Sequence, residues 1–336
     1  MNADAASSDP PIDGAPQDGG PQSIWVLTDG KIGDDVQCLA VAAALAPAFE
    51  KRVIAPRPPF EWLAPWGPID PRDAPSRAAS PIAPPFPDVL IASGRRSIPY
   101  ARAVKRASGG RTFVVIMKDP RIAPRHADLI WAPKHDRLEG ENVVTTLTSP
   151  HGLAARLSGA RVNPAPAIAR LQGPMLGVAL GGPSGGTRYD VVAATDLAQK
   201  ILAAKKNFAS LAITPSRRTP ASVVQTIAKA VAGPGVFIWD GEGNNPYIDI
   251  LANAKALIVT ADSHNMMSEA VATGTGVYSW RPPGLTKKLS WFVDELEELG
   301  AVRALDGDVA SFAGAPIDAT NEIAAEIKRR VAKRAG

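Results

Sequence analysis

The segment Ile258–Gly274, IVTADSHNMMSEAVATG, decides the fold. Its first residues close the apolar run ALIVT that begins at 256, rich in β-branched side chains and free of turn formers, which reads as a buried strand. Five polar side chains follow, Thr260, Asp262, Ser263, His264 and Asn265, before apolar spacing resumes at Met266, Met267 and Ala270 as in a helix. Ser263 or Asp262 can accept from N–H groups at the helix start, but one side chain suffices for a cap. In open α/β sheets ligands lie beyond the carboxyl ends of the strands, so the remaining polar groups become candidates for ligand contact.

The same alternation extends outward in both directions. MLGVAL at 175, SLAIT at 210, VFIW at 236 and GVYSW at 276 are separated by helical stretches near 188–205, 220–232, 246–253 and 266–273. An earlier series, IWVL at 24, DVLIA at 88, TFVVIM at 112 and DLIWA at 128, alternates with helical stretches at 35–46 and 97–107. Two series of this kind predict an α/β fold with two Rossmann-like domains of parallel sheet, at 23–165 and 175–316. The Pro-rich segment 161–174 reads as the linker and 317–336 as a closing helix. Residues 1–22 lack large apolar side chains and read as a loose tail.

Within the first series, Pro56–Pro87 holds eleven prolines and the aromatics Phe60, Trp62 and Trp66. Proline at that density excludes a long helix or a central strand. The segment reads as a surface loop pinned by its aromatics, with contact to a lipid or an acceptor as the alternative.

Composition narrows the function classes. The 336 residues are 45% apolar and 21% charged, as in a globular protein, and no apolar run is long enough to cross a bilayer. A net charge of +4 suits an anionic ligand or an acidic membrane surface and is too mild to imply nucleic acid. The single cysteine, Cys38, excludes internal disulfides, and the N-terminus lacks a basic-then-apolar leader, so a cytoplasmic protein is expected. His126, His135 and His151 are spaced nine and sixteen apart without helical pairing, and no metal site is expected from them.

Four further strand ends carry chemistry-bearing residues. LTDGKIGDDVQ places Gly30, Lys31 and Gly33 between strand and helix, followed by Asp34 and Asp35. Two carboxylates would repel a phosphate, so this loop suits a sugar or acceptor hydroxyl, with a carboxylate as base; a capped turn is the structural alternative. IASGRRSIPYAR presents Arg95 and Arg96, able to hold phosphate or carboxylate or to lie solvated on the surface. LGGPSGGTRYD offers Gly181, Gly182, Ser184 and Gly185 as a phosphate loop, although its spacing matches no standard glycine fingerprint. ITPSRRTP interleaves Ser216, Arg217 and Arg218 as a diphosphate would require, with Thr219 as helix cap and Pro220 at the first helical position. Glu269 lies two turns into the helix of the opening segment, where a carboxylate can accept from ribose hydroxyls. His135 and Asp136, after DLIW, are candidates for proton transfer.

Taken together, TDGKIGDDVQ, SGRRSIPYA, APKHDRLEGENVVTT, ALGGPSGG, TPSRRTP, GEGNNPYIDILANA and VTADSHNMMSEAVATG resemble the mitochondrial-fission ELM-type family, whose bacterial members are often labelled nucleoside-diphosphate-sugar epimerases. The resemblance runs from about residue 24 to 303. It implies a GT-B-like architecture, two Rossmann-like domains facing across a cleft, and a nucleotide-sugar-dependent glycosyltransferase whose donor is bound by the C-terminal domain. By that similarity Gly181, Gly182, Ser184 and Gly185 face the diphosphate, Ser216 and Arg217 assist, and Glu269 binds ribose. Asp34 stands where GT-B enzymes often carry a base, with a histidine or glutamate there in some relatives, and Asn265 stands where a second serine is expected. The nucleotide-sugar is a substrate, and no cofactor is expected. The acceptor is left open; the basic charge and the aromatics are compatible with a lipid-linked one and with peripheral membrane contact. Two alternatives remain: an epimerase, in which Asp119, His126 and His135 flank the sugar ring, and a non-catalytic scaffold acting in membrane fission.

Overall fold

The computed structural model of the chain describes residues 21–306 and 308–335. The expected tail lies outside them except for Pro21 and Gln22, whose backbone N–H donates to Asp88 Oδ2 at 2.9 Å.

The first half runs β1 (Ile24–Thr28), α1 (Ile32–Leu45), β2 (Glu50–Val53), α2 (Phe60–Leu63), β3 (Val89–Ser93), α3 (Ser97–Ala107), β4 (Phe113–Met117), β5 (Leu129–Pro133) and β6 (Val143–Thr146). These six strands form one parallel sheet in the order β2-β1-β3-β4-β5-β6. Every residue of β1, β3, β4 and β5 is buried, as a parallel sheet covered on both faces requires. Each Val, Ile or Leu so enclosed contributes about 1.5–3 kcal/mol relative to exposure.

The second half runs α4 (Ala154–Val162), α5 (Pro166–Ala169), β7 (Met175–Leu180), α6 (Val191–Lys205), β8 (Ser210–Pro215), α7 (Ala221–Val231), β9 (Val236–Ile238), α8 (Tyr247–Asn253), β10 (Ala256–Thr260), α9 (His264–Val271), β11 (Gly276–Trp280), α10 (Lys287–Glu298), β12 (Val302–Ala304) and α11 (Ala319–Ala335). Its sheet, also parallel, has the order β12-β11-β10-β7-β8-β9. The chain builds outward from β7 to β9 and then returns to lay β10 against the other side of β7. Such a reversal is where open α/β sheets place a ligand, here at the β7 and β10 ends; in the first sheet the reversal lies between β1 and β3. The architecture is α/β, with two Rossmann-like units.

The chain crosses between the units earlier than the sequence suggests. Proline marks 161–174 as a linker, yet Leu153, Leu157, Ala160 and Ile168 already belong to the core beneath β7, β10 and α8. Pro166 opens α5, and its neighbour Ala165 donates its N–H to Asp249 at 2.7 Å, so these prolines start helices rather than mark a loose connection. At the other end α11 leaves the second unit and packs on α1, burying Ala319, Ile323, Ala324 and Ile327 with Val41 and Leu45 in the core of the first sheet. Among the described residues, no helix is long and apolar enough to cross a membrane.

Candidate functional site

At the carboxyl edge of the first sheet, α1 begins three residues after Asp29, which sets Asp34 and Asp35 in its first turn, where the helix dipole favours carboxylates. Their fates differ. Asp35 is buried, accepts a hydrogen bond from the Thr28 hydroxyl and pairs with Lys51 Nζ at 2.6 Å, so it ties β1, β2 and α1 together. Asp34 instead pairs with Lys118 Nζ at 2.6 Å, just past β4, in the wall of a cavity of about 350 Å³. Gly94, Arg95, Asp119 and Arg121 also line that cavity, together with Asp136 and, from the second unit, Lys288, whose ammonium reaches Asp136 at 2.8 Å. Lys118 adopts a positive φ of 76°, a conformation that costs a non-glycine residue energy and aims it at the strand end.

One carboxylate here was not singled out from the sequence. Asp29 has a side chain only 1% exposed, and among the described residues neither oxygen has a hydrogen-bond donor; Lys31 Nζ stands 3.4 Å from Oδ2. A Cβ on Gly94 would lie 3.2 Å from Asp29 Oδ1 and 3.4 Å from Asp34 Oδ2, so both carboxylates close around this glycine, whose φ is +87°. The available signal was position: Asp29 is the first residue after β1, where the strand-end rule points. Gly30, with φ +82°, shapes the turn and donates its N–H to Thr28 Oγ1 at 3.1 Å; Gly33 falls inside α1. Arg95 and Arg96 both meet Glu61 of α2, Arg95 through the carbonyl at 3.3 Å and Arg96 through the carboxylate, so they hold the Pro-rich insert against the strand end.

The second sheet ends in a closed network. Gly181 N–H donates to Thr260 Oγ1 at 2.6 Å and Gly182 N–H to Asp262 Oδ2 at 2.9 Å. Asp262, with a fully buried side chain, also accepts from Tyr189 OH at 2.5 Å and from Arg218 Nη2 at 3.0 Å, and Arg218 Nη1 donates to the Gly182 carbonyl at 2.8 Å. Burial and the neighbouring Asp262 charge push the Tyr189 phenol well up, so it stays a donor. A Cβ on Gly181 would sit 2.2 Å from Asp262 Oδ2, and one on Gly182 2.2 Å from the Arg218 carbonyl. These two glycines allow close packing, and their amides are already occupied. Ser184 and Gly185 lie beyond them on an exposed turn, Gly185 at φ +57°. Ser216 accepts from Arg218 N–H at 3.2 Å, while Arg217 is exposed and makes no ion pair or side-chain hydrogen bond among the described residues. Helix α7 starts at Ala221, so Pro220 takes the cap position and Thr219 bonds to the Ser216 N–H and the Leu180 carbonyl.

Glu269 on α9 accepts from Tyr247 OH at 2.6 Å. Burial raises its carboxyl above the usual range against the opposing pull of Tyr247 and Arg156, and burial likewise pushes the Tyr247 phenol far up. The Tyr247 N–H and Thr214 hydroxyl both donate to Asn245 Oδ1 at 2.9 Å, which links this carboxylate to the β8 end.

The remaining polar residues of the opening segment join the units. Ser263 caps α9, accepting from Met266 N–H at 3.3 Å. His264 Nε2 donates to the Leu147 carbonyl at 3.1 Å, which leaves Nδ1 to accept from Ser149 Oγ at 2.8 Å. Its ring packs 4.1 Å from Phe292 and 4.5 Å from His135. Burial, helped by His135, lowers the His264 pKa to about 3, so the ring is neutral. Asn265 Oδ1 accepts from Gln37 Nε2 of α1 at 3.2 Å. His135, its pKa also lowered by burial, packs within this aromatic contact and does not line the cavity; nor does His126.

A family model described as Mitochondrial fission ELM1 matches residues 32–331. The chain belongs to the mitochondrial fission ELM1 family. It is 32% identical over 276 residues to the Arabidopsis thaliana protein named Mitochondrial fission protein ELM1, a match that covers 74% of this chain and 65% of that relative's length. It is 26% identical over 353 residues to the uncharacterized protein RP120 of Rickettsia prowazekii (strain Madrid E), covering 91% of this chain and 98% of that one. Among solved structures, the UDP-GlcNAc 2-epimerase of Methanocaldococcus jannaschii superposes with a TM-score of 0.53 at 11% identity, covering 91% of this chain and 92% of that one. A putative UDP-N-acetylglucosamine 2-epimerase of Listeria monocytogenes gives 0.53 at 10% identity, covering 93% and 88%. At such identities the likeness shows the fold: the ELM1-family chain has the GT-B-like arrangement of two Rossmann-like units.

Proposed function

We propose that this ELM1-family protein is a nucleotide-sugar-dependent glycosyltransferase of GT-B type, with Asp34 as general base for an acceptor hydroxyl. The observation that carries the proposal is the Asp34 carboxylate, held at 2.6 Å by Lys118 in the wall of the cavity that Lys288 of the second unit also lines. A general base must be fixed within reach of the proton it takes, and the contact with Lys118 holds the carboxylate in place. The acceptor O–H gives its proton to Asp34 as its oxygen bonds to the anomeric carbon. The bond from that carbon to the diphosphate breaks, and the nucleoside diphosphate leaves with the electron pair. Arg217, the Ser184 hydroxyl and the exposed turn at Gly185 are the groups placed to meet that charge, whereas the Ser184 N–H is bonded to Thr187 Oγ1 at 2.7 Å and Gly181, Gly182, Arg218 and Asp262 stiffen the loop behind them. Glu269, oriented by Tyr247, would take the ribose hydroxyls.

Epimerisation is less well supported. It needs acid and base groups around the sugar ring, and of Asp119, His126 and His135 only Asp119 lines the cavity; its carboxylate accepts from Arg121 N–H at 2.8 Å. Calorimetry against a panel of nucleoside diphosphates and nucleotide-sugars tests the reading. One nucleotide should bind, with a loss of at least about tenfold in Glu269→Ala. Asp34→Asn should slow release of nucleoside diphosphate from the bound donor by about 10²–10⁴-fold without changing donor affinity. No binding across the panel would favour the scaffold instead.

A further inference from the structure

The Pro-rich insert carries an apolar patch that the catalytic reading does not use. Helix α2 and the turn after it leave Trp62 67%, Leu63 46% and Trp66 65% exposed. Trp66 is nonetheless fixed: its indole N–H donates to the Arg121 carbonyl at 3.1 Å, and its own carbonyl accepts from Arg102 Nη1 at 3.1 Å. Arg95 and Arg96 hold the same segment through Glu61, the sole acid of residues 60–66. Four arginines therefore frame three outward apolar side chains. Pro65, Arg95 and Arg121 also line the cavity, so the patch borders its mouth.

We propose that this patch seats the protein peripherally on an anionic bilayer surface. Tryptophan favours the boundary between headgroups and acyl chains, and arginines meet lipid phosphates there. Of the four guanidiniums only Arg96 has an acidic partner, Glu61, and among the described residues Arg95, Arg102 and Arg121 make no ion pair, so the frame carries net positive charge that anionic headgroups complement. Docked in this way, the cavity mouth faces the headgroups. If the glycosyltransferase reading also holds, the acceptor is a membrane-borne hydroxyl compound.

The test is co-flotation of the full chain with vesicles of phosphatidylcholine alone and of phosphatidylcholine and phosphatidylglycerol in equal parts. Binding is expected to the anionic vesicles only, to weaken as salt rises, and to fall at least about tenfold in Trp62→Glu/Leu63→Glu. Trp62→Ala, which adds no charge, should show an intermediate loss. Circular dichroism and melting should match the parent protein, since all three side chains point outward. Absence of anionic-vesicle binding, or equal binding by the double variant, overturns the proposal. Nucleotide titration without vesicles keeps the two readings separable: the double variant should bind nucleotide as the parent does, and failure of both to bind would count against the glycosyltransferase reading alone.

Discussion

At the carboxyl edge of the second sheet, both oxygens of Asp262 are bonded within the protein; at the matching edge of the first, Asp29 has no donor among the described residues and Asp34 opens onto a cavity. The two edges share a parallel topology and a chain reversal, so topology alone does not make a site. The destination of each N–H and carboxylate does. Glycines at the second edge read as phosphate ligands by type, yet Gly181 and Gly182 are small because Asp262 and the Arg218 backbone press against them. Unsatisfied polar groups, which proteins rarely bury without cause, gather instead at the first edge.

The sharpest way to break this contrast is Asp262→Ala. It strips an acceptor from the Gly182 N–H and the buried Tyr189 hydroxyl and should cost about 3 kcal/mol in chemical denaturation. A loss below about 1 kcal/mol would mean that the second edge is not locked by this network.

Next in size is a pH effect at the junction of the units. The folded-state pKa of His264, about 3, lies below its ordinary value of 6.5, so its contribution is intact above pH 6.5 and is lost as pH falls toward 3. Stability should drop by about 2 kcal/mol between pH 7 and 5 on this account, and His264→Gln should flatten the profile. His135 and His151, both lowered by burial, add to the loss in the same direction and leave a residual slope.

Asp29→Asn probes the open edge directly. Removing a buried charge that has no hydrogen-bond donor, and whose only ion pair among the described residues is with the largely exposed Lys31 at 3.4 Å, should raise stability by up to about 1 kcal/mol in the same denaturation assay, the reverse of Asp262→Ala. A destabilisation would show that Asp29 is satisfied after all and would erase the contrast. Smallest is Lys288→Ala, which removes a half-exposed ion pair with Asp136 and should change stability by less than about 0.5 kcal/mol, with the difference vanishing at high salt.

Central strands were legible because burial on both faces writes an unbroken apolar run, as in FVVIM of β4. Of the edge strands only β9 was, as VFIW; EKRV of β2 is mostly exposed, β6 buries only Thr146, and β12 buries only Val302. Helix α10 carried a readable stripe, Leu289, Phe292, Val293 and Leu296, in a stretch where no helix was expected. At the candidate site, the strand-end rule directs attention to Asp34 and Asp262, and the helix that follows β10 to Glu269. It could not tell free amides from occupied ones, because Gly181 meets Thr260 across 79 residues and Asp34 meets Lys118 across 84. Such pairings are made by the fold and leave no local pattern.

The return of α11 to the first unit has a consequence for synthesis. Ribosomes release the chain from its N-terminus, and a domain usually folds once it has emerged. Here the first sheet is complete in sequence by Thr146, yet Ile323 and Ile327, needed to close its core over α1, are made almost two hundred residues later. The nascent first unit must therefore wait, with one face of α1 uncovered, while the second unit is built, which makes the earlier half of the polypeptide the later one to be finished.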